Sequence, residues 1–409
     1  MITGKTEDTS EIPPGGVRAD EPAAPPQTAW RKVAAGCIVA AGLAFVVMMY
    51  AVGLTPTDVT QRDYIEYWAA GQQLAHHANP YDYAVIFAIE RHNGMRTGDP
   101  RMSFSPPVAL EFFLPLGWVS AKTGLISWLM AELACLLVSL WLLWRLNGRP
   151  DSRLHLVGLA FTPVLACQMA GQLGTFFLLC LVLFLVWHDT RPFLAGAALM
   201  PLALKPHLIV PLAIALVIWC VVRGRMRVLL GGLVALAASC AASMAIDPHS
   251  WTEYRAMASV VPIADLFVPT FGMVVRQWIH PASRWIGYVP EAAACAWAGW
   301  YAWIRRKRWD WMREGQLAVM LSVACAPYSF VSDQCLLLPA VLSGLYRREN
   351  ARRTLALFLL VDGAMLAGVL QQPRMTAPWY AFTAPAWLIW YLYATRDVKE
   401  RTAAVAATD

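Results

Sequence analysis

Residues 55–87 read TPTDVTQRDYIEYWAAGQQLAHHANPYDYAVIF, and after a charged turn residues 104–113 continue as FSPPVALEFF. This segment of residues 55–107 is polar, in a chain that is otherwise mostly apolar, and it directly follows the first long apolar run. Asp63 precedes a short predicted helix in which Tyr64, Tyr67 and Trp68 lie within about one turn of it. A carboxylate held among aromatic rings at a bilayer surface suits proton transfer better than packing. The rest of the chain is predicted to be a helical frame that holds this loop over a cavity.

The composition excludes an ordinary soluble domain. Hydrophobic residues make up 58% of the chain, charged residues only 15%, and the mean hydropathy is +0.47. Apolar runs of membrane-spanning length recur from residue 33 to residue 393, which predicts one all-α polytopic membrane domain over residues 30–395. Residues 1–29 are rich in Pro, Gly, Ala and acidic side chains and are predicted to be a disordered cytoplasmic tail. Residues 396–409 are predicted to be a second cytoplasmic tail.

Basic residues cluster in the connections between apolar runs, which is how the positive-inside bias appears. Arg31 and Lys32 precede the first run and place the amino terminus in the cytoplasm, so residues 55–107 become the first outer loop. Continued alternation predicts about twelve transmembrane helices, a second outer loop at residues 247–290, and both termini on the cytoplasmic side of the inner membrane. The net charge of +6 follows from the same bias and indicates no nucleic-acid partner.

Short helices are predicted within the first outer loop. Asn79-Pro80 ends the first of them, and Pro106-Pro107 opens a further apolar segment that reaches about residue 120. Glu111 and Pro115 interrupt this segment, so it is predicted to lie along the outer surface or to dip into it rather than to span.

Cysteine and motif patterns exclude several kinds of site. The nine cysteines are scattered and none forms a CxxC pair, so neither a zinc site nor a disulfide framework is predicted. Asp58 and Asp63 do not form a DxD pair, and no metal ion or cofactor is predicted. P-loop, GxGxxG, HExxH and GxSxG patterns do not occur, which argues against transport driven by nucleotide hydrolysis and against zinc proteolysis.

Asp63 is the first candidate for chemistry, as a proton acceptor. The alternatives are a solvated loop carboxylate or a helix cap. Asp58, five residues earlier, is either part of the same site or itself a cap.

Lys205 is the second candidate. It lies between Leu204 and Pro206 at the end of an apolar run. A lysine in such a place either meets an anion, for which a lipid phosphate is a natural partner, or extends to the outer interface.

Five further residues are candidates at the same predicted level of the membrane. Asp333 ends an apolar run, with Ser329 close by in sequence, and an interfacial acid suggests function. Arg276 in the second outer loop is either a phosphate-binding residue or a solvated side chain. For Gln172 and His207 the alternative is a structural role.

Several short motifs occur in an order that resembles a known enzyme family. They are Asp63 followed by Tyr67-Trp68-Ala69-Ala70-Gly71, Asn79-Pro80-Tyr81, Ser105-Pro106-Pro107, Gly171-Gln172, Ala195-Gly196, Leu204-Lys205-Pro206 and Pro327-Tyr328-Ser329-Phe330. The arrangement resembles the polyprenol-phosphate-sugar-dependent glycosyltransferases of the GT-C superfamily. More narrowly it resembles glycosyltransferase family 87, whose members include phosphatidylinositol-mannoside mannosyltransferases. Where the late motif usually continues into histidine, this chain has Ser332 and Asp333.

The resemblance implies transfer of a mannose-like hexose from a polyprenyl-phosphate donor to a lipid or glycan acceptor at the outer membrane face. It implies that Asp63 is the general base and that Lys205 stabilises the leaving phosphate, with Arg276 as a helper. Such enzymes usually invert the anomeric configuration and need no metal ion. The candidates for the wall of the substrate cavity are Asp58, Tyr67, Gln172, His207, Ser329 and Asp333.

Two other classes of membrane protein are alternatives to this interpretation. A transporter or flippase of lipid-linked sugars would use the same cavity without bond making, but such proteins often contain inverted repeats with broken helices, and no convincing internal repeat is found here. An O-acyltransferase would need a histidine deep in a membrane helix, and none of the eight histidines is clearly placed in that way.

Overall fold

Helices are the regular secondary structure of the described part of the chain. A computed structural model describes residues 59–96, 101–260, 267–347, 351–372 and 375–396, together with residues 33, 36, 37, 39–44, 47 and 48. No β-strand occurs in these ranges. The helices are α1 Tyr64–Ala75, α2 Tyr83–His92, α3 Pro107–Trp118 (α-helical over Leu110–Phe113, with the 3₁₀ turns Pro107–Ala109 and Leu114–Trp118 on either side), α4 Ala121–Leu146, α5 Thr162–Ala170, α6 Gly174–Trp187, α7 Pro192–Ala198, α8 Val210–Val222, α9 Met226–Ile246, α10 Ser250–Val260, α11 Phe271–Ile279, α12 Val289–Arg305, α13 Glu314–Cys325, α14 Leu338–Tyr346, α15 Ala351–Gln371 and α16 Thr383–Ala394. Short 3₁₀ helices lie at Arg153–Leu159, Met200–Leu204, Pro206–Leu208, Arg284–Tyr288, Val331–Leu337 and Pro378–Phe382.

Four segments within the described ranges are long and apolar enough to cross a membrane: α4, Arg153–Ala170, α9 and α15. They coincide with four of the twelve spans predicted from the sequence, and the other eight stay a prediction. Helix α9 exposes Leu230 and Leu233 on its surface, and α4 exposes Trp141. Large apolar side chains exposed along a long helix need a lipid rather than an aqueous environment. The membrane character predicted from the composition is therefore confirmed.

Two apolar runs that the count of about twelve spans includes, residues 154–170 and 193–204, are not continuous α-helices. The first consists of the 3₁₀ turn Arg153–Leu159 and then α5. Pro163 stands in the first turn of α5, because proline lacks the N–H that a helix interior needs but is tolerated at a helix start. The predicted span at residues 193–204 likewise changes from α7 to a 3₁₀ turn that contains Pro201.

The predicted helices of residues 55–107 occur as α1 and α2, and α1 is fixed by a close backbone contact with α3. A Cβ atom on Gly71 would collide with the carbonyl oxygen of Phe113, and one on Gly117 would collide with the carbonyl oxygen of Gly71. Gln72 Nε2 also donates to the carbonyl oxygen of Gly117 over 2.5 Å, and Trp68 Nε1 donates to that of Val119 over 2.9 Å. Helix α1 is thus held against α3 along its carboxyl-terminal half.

Helix α3 also packs on the long apolar helix α9. The Ser239 hydroxyl lies 2.9 Å from the carbonyl oxygen of Val108 and 2.6 Å from Glu111 Oε1. Segment α3 therefore lies between the loop helix α1 and a membrane-spanning helix.

The turn between α5 and α6 approaches the amino-terminal end of α1. Gly171 ends α5 with a φ of 66°, a left-handed conformation that favours glycine. A Cβ atom at this position would also lie 2.7 Å from Cβ of Tyr64. The glycine lets the next residue, Gln172, reach the start of α1.

Candidate active site

Asp63 lies at the amino-terminal end of α1 and uses both carboxylate oxygens for contacts across the fold. Oδ1 forms an ion pair with Arg101, and Oδ2 accepts a hydrogen bond of 2.9 Å from Nε2 of Gln172. The side chain makes no hydrogen bond to the backbone N–H groups of α1, and such a bond is what a helix-capping role for Asp63 would require. About a third of the side chain (35%) is exposed, which leaves room for a substrate.

Gln172 links Asp63 to two further groups through its other amide atom. Oε1 of Gln172 accepts hydrogen bonds from the Tyr67 hydroxyl at 2.9 Å and from Nζ of Lys205 at 3.0 Å. One buried amide therefore contacts the carboxylate, the tyrosine and the lysine at the same time.

Lys205 has an anionic partner within the protein. Its Nζ lies 2.7 Å from Oδ1 of Asp333, a carboxylate with 0% of its side chain exposed. Oδ2 of Asp333 accepts a 2.9 Å hydrogen bond from the backbone N–H of Phe330, which fixes the carboxylate at the start of the Val331–Leu337 turn. Burial alone lowers the pKa of Lys205, but Asp333 and the more distant Glu66 and Asp63 raise it above its usual value. Lys205 is therefore held as a cation by Asp333 rather than extended to the interface without a partner.

These groups border a cavity of about 740 Å³. Asp63, Glu66, Arg101, Gln172 and Lys205 supply polar atoms to it. Its remaining walls are mostly aromatic or apolar and include Tyr67, Tyr83, Phe104, His207, Tyr254, Tyr288, Tyr328 and Phe330. A concave, mostly apolar site with a few converging polar groups is typical of small-molecule binding.

Glu66 is a second carboxyl group in the cavity, three residues after Asp63 on α1. Burial raises the pKa of Glu66 well above its usual range, and the Asp63 carboxylate raises it further, against the opposing effects of Lys205 and Arg101. These effects favour the uncharged form of Glu66, which can donate a hydrogen bond to a ligand.

The charges around the cavity balance within the protein. Lys205 and Arg101 are the cations, and Asp333 and Asp63 are their respective partners. Among the residues that the structure describes, no group of three or more His, Cys, Asp and Glu is arranged to hold a metal ion.

The other predicted site residues have different surroundings. His207 lines the cavity, with its ring edge-on to Tyr328 at a centroid distance of 5.4 Å. Ser329 is buried, and its hydroxyl is 3.4 Å from the carbonyl oxygen of Phe330. Arg276 is buried in α11, donates from Nε to the carbonyl oxygen of Pro281 over 2.8 Å, and is not among the residues that line the cavity. Asp58 lies outside the described residues.

Two charged residues of the site were missed from the sequence. In the sequence Arg101 is only one residue of the charged turn that precedes Ser105-Pro106-Pro107. Its backbone N–H is bound to the Glu90 carboxylate at 3.1 Å and 3.2 Å, which holds it beside α1. Glu66 carried a usable signal, since a residue three positions after Asp63 lies on the same helix face.

A family model matches the part of the chain that contains most of the sequence motifs and of the cavity. The model of glycosyltransferase family 87 matches residues 105–332, which is more than half of the chain and confirms the resemblance suggested by the motifs. Gln172 and Lys205 lie inside the matched region, Asp63 precedes it, and Asp333 follows it directly. No curated protein and no solved structure matches the chain significantly. The chain belongs to glycosyltransferase family 87 and is a membrane glycosyltransferase.

Proposed function

We propose that this protein transfers a mannose-like hexose from a polyprenyl-phosphate donor to a hydroxyl group of a lipid or glycan acceptor, with inversion at the anomeric carbon. One observation carries the proposal. A carboxylate, Asp63, and a largely buried ammonium group, Lys205, border the same cavity and are joined by one amide, Gln172. Such a pair supplies the two functions that the reaction needs, a proton acceptor and a cation for the leaving phosphate.

Asp63 acts as the general base in this mechanism. As the acceptor oxygen attacks the anomeric carbon, its proton passes to Asp63 and a new C–O bond forms. The bond between the anomeric carbon and the phosphate oxygen breaks, and the phosphate leaves with the electron pair. Attack from the face opposite the phosphate inverts the configuration. The pair of carboxyl groups on α1 suits this role, since Asp63 is ion-paired and Glu66 favours its uncharged form.

Lys205 and Arg101 stabilise the leaving phosphate. The donor phosphate is a singly charged diester that becomes a monoester able to carry a second charge, so a nearby cation favours the products more than the reactants. Arg101 takes the role of second cation that the sequence assigned to Arg276, because Arg101 lines the cavity. When Asp63 accepts the proton it loses its charge, and the Arg101 guanidinium is released to follow the phosphate.

The cavity suits a sugar and a phosphate but not a polyprenyl chain. Its volume of about 740 Å³ lies within the usual range of small-molecule sites. Tyrosine rings on several sides offer apolar faces to the sugar C–H groups and hydroxyls to its oxygens. The lipid chains of donor and acceptor remain in the bilayer, in the arrangement of a GT-C enzyme.

We propose that the cavity faces the outer side of the cytoplasmic membrane and that both termini are cytoplasmic. The basic sequence RRKR at residues 305–308 follows α12, as expected of a cytoplasmic connection. A cysteine introduced at the exposed position Ala88 of α2 should react with a membrane-impermeant maleimide in outer-permeabilised cells. The matched variant Lys307→Cys should react only after lysis of the inner membrane, and the opposite pattern would reverse the orientation.

The donor class is tested with purified protein in liposomes that contain a total membrane lipid extract as acceptor. Radiolabelled polyprenyl-phosphate mannose should give labelled glycolipid, whereas a radiolabelled nucleotide sugar alone should give none. Asp63→Asn protein provides the background. Efficient transfer from the nucleotide sugar without polyprenyl phosphate would refute the proposed donor.

A further inference from the structure

We infer that Gln172 is a positioning residue that couples the cation Lys205 to the base Asp63 and fixes the place of the Asp63 carboxylate in the cavity. The inference rests on the proposed function, because it concerns the base and the leaving-group cation of that reaction. The sequence indicated Gln172 only as one residue of a cavity wall. Its contacts give it a defined role between the two groups that carry the chemistry.

The orientation of the Gln172 amide is set by its neighbours. An ammonium group has only donor hydrogens, so Nζ of Lys205, at 3.0 Å, must face the amide oxygen. The Tyr67 hydroxyl donates to the same oxygen at 2.9 Å. A flipped amide would turn its NH₂ group toward the ammonium group, where two donors would meet and the bond from Lys205 would be lost. The NH₂ group must therefore point at Oδ2 of Asp63, at 2.9 Å.

The backbone of Gln172 is fixed as firmly as its side chain. Its N–H donates to the carbonyl oxygen of Cys167 at 3.0 Å, and its own carbonyl oxygen accepts from the Cys167 thiol at 3.2 Å. Gly171 supplies the left-handed conformation that starts the turn. Only 6% of Gln172 is exposed, so water cannot replace these contacts without a rearrangement.

This arrangement has an electrostatic consequence for Asp63. A hydrogen bond donated to a carboxylate favours its charged form, and the lysine on the amide oxygen polarises the N–H bond in the same direction. Gln172 thereby passes part of the positive charge of Lys205 to the base without direct contact between the two. The other charged or titratable groups around this network are Arg101, Glu66, Tyr67, His207, Tyr328 and Asp333.

The test is the pH dependence of kcat/KM for sugar transfer from polyprenyl-phosphate mannose. In Gln172→Glu a carboxylate oxygen replaces the NH₂ group beside Asp63, so Asp63 binds its proton more tightly. We expect the acidic limb of the profile to move to higher pH by about one unit or more, since a like charge at hydrogen-bond distance disfavours ionisation. In Gln172→Met, which removes the donor without adding charge, the limb should move in the same direction by less.

Tyr67→Phe serves as the matched variant for the position of the limb. It removes one of the two bonds to the amide oxygen but leaves Lys205 to orient the amide, so its limb should stay near that of the wild type. A Gln172→Glu protein that loses kcat while its limb stays at the wild-type pH would show a purely structural role and overturn the inference. If Gln172→Glu does not fold, the same comparison is made with Gln172→Met. An acidic limb that stays at the wild-type pH in that variant would overturn the inference.

Failure of this inference is distinguishable from failure of the proposed function. Full activity of the Asp63→Asn variant would show that Asp63 is not the general base and would refute the proposed function, whatever the Gln172 variants do. Suppose instead that Asp63→Asn is inactive while the acidic limb of the pH profile stays at the wild-type pH in both Gln172 variants. The proposed reaction would then stand, and only the coupling role of Gln172 would be rejected.

Discussion

Asp63→Asn is expected to lower the turnover of sugar transfer by roughly 10²–10⁴-fold, the usual contribution of general acid–base catalysis. The substitution keeps the size of the side chain and removes its capacity to accept the proton of the acceptor. The new amide cannot satisfy both Arg101 and the Gln172 NH₂ group, because one of its two polar atoms is a donor. The ion pair that is lost is partly exposed, so thermal stability should stay near that of the wild type.

Asp82→Asn provides the matched control for this experiment. Asp82 undergoes the same chemical change in the same loop, but it caps α2 through bonds to the N–H groups of Ala84 and Val85 and does not line the cavity. Asparagine is also a good cap, so Asp82→Asn should keep both its activity and its stability. Measurement of donor binding beside turnover separates an enzyme from a transporter. If Asp63→Asn keeps most of its transferase activity, Asp63 is not the base.

Lys205→Met is expected to abolish use of the polyprenyl-phosphate donor and also to destabilise the protein. Removing one partner of a buried ion pair typically costs about 3–5 kcal/mol, because the other charge remains buried and unpaired. Asp333, which is fully buried, would be left in that state. The stability of detergent-solubilised protein is measured by thermal unfolding, and donor use is measured in the liposome assay.

The double variant Lys205→Met/Asp333→Asn separates the two effects. With both charges removed, stability should return toward the wild-type value, whereas donor use should stay lost because no cation faces the phosphate. Lys122→Met, a change of an exposed lysine in the first turn of α4, should affect neither property. A double variant with restored turnover would mean that Lys205 serves only to neutralise Asp333.

The sequence predicts those features that depend on neighbouring residues. The apolar runs predict helices and membrane character, and Gly171-Gln172 predicts a turn that the structure contains. Contacts between residues far apart in the sequence cannot be predicted in this way. Asp63 meets a side chain 109 positions away and Lys205 meets one 128 positions away, and no local periodicity fixes which turn of one helix faces another.

The two outer-loop arginines show the same limit of sequence interpretation. Arg101 and Arg276 have the same chemistry, and both lie in predicted outer loops. Only the packing of the chain shows that the first faces the cavity while the second binds the carbonyl oxygen of Pro281. The number of spans stays a prediction because several apolar helices, such as α6 and α8, are shorter than a membrane helix normally needs.

The contact between Gly71 and Gly117 limits how this enzyme can change during evolution. Because a Cβ atom at either glycine would collide with the backbone opposite, the closest approach of α1 and α3 cannot be adjusted by substitutions at these two positions. Asp63, the proposed general base, therefore keeps its position at the start of α1 while the opposite walls of the cavity remain free to vary. New sugar or acceptor specificities would then arise from substitutions at positions such as Tyr83, Tyr254 and Tyr288, without a new arrangement of the catalytic groups.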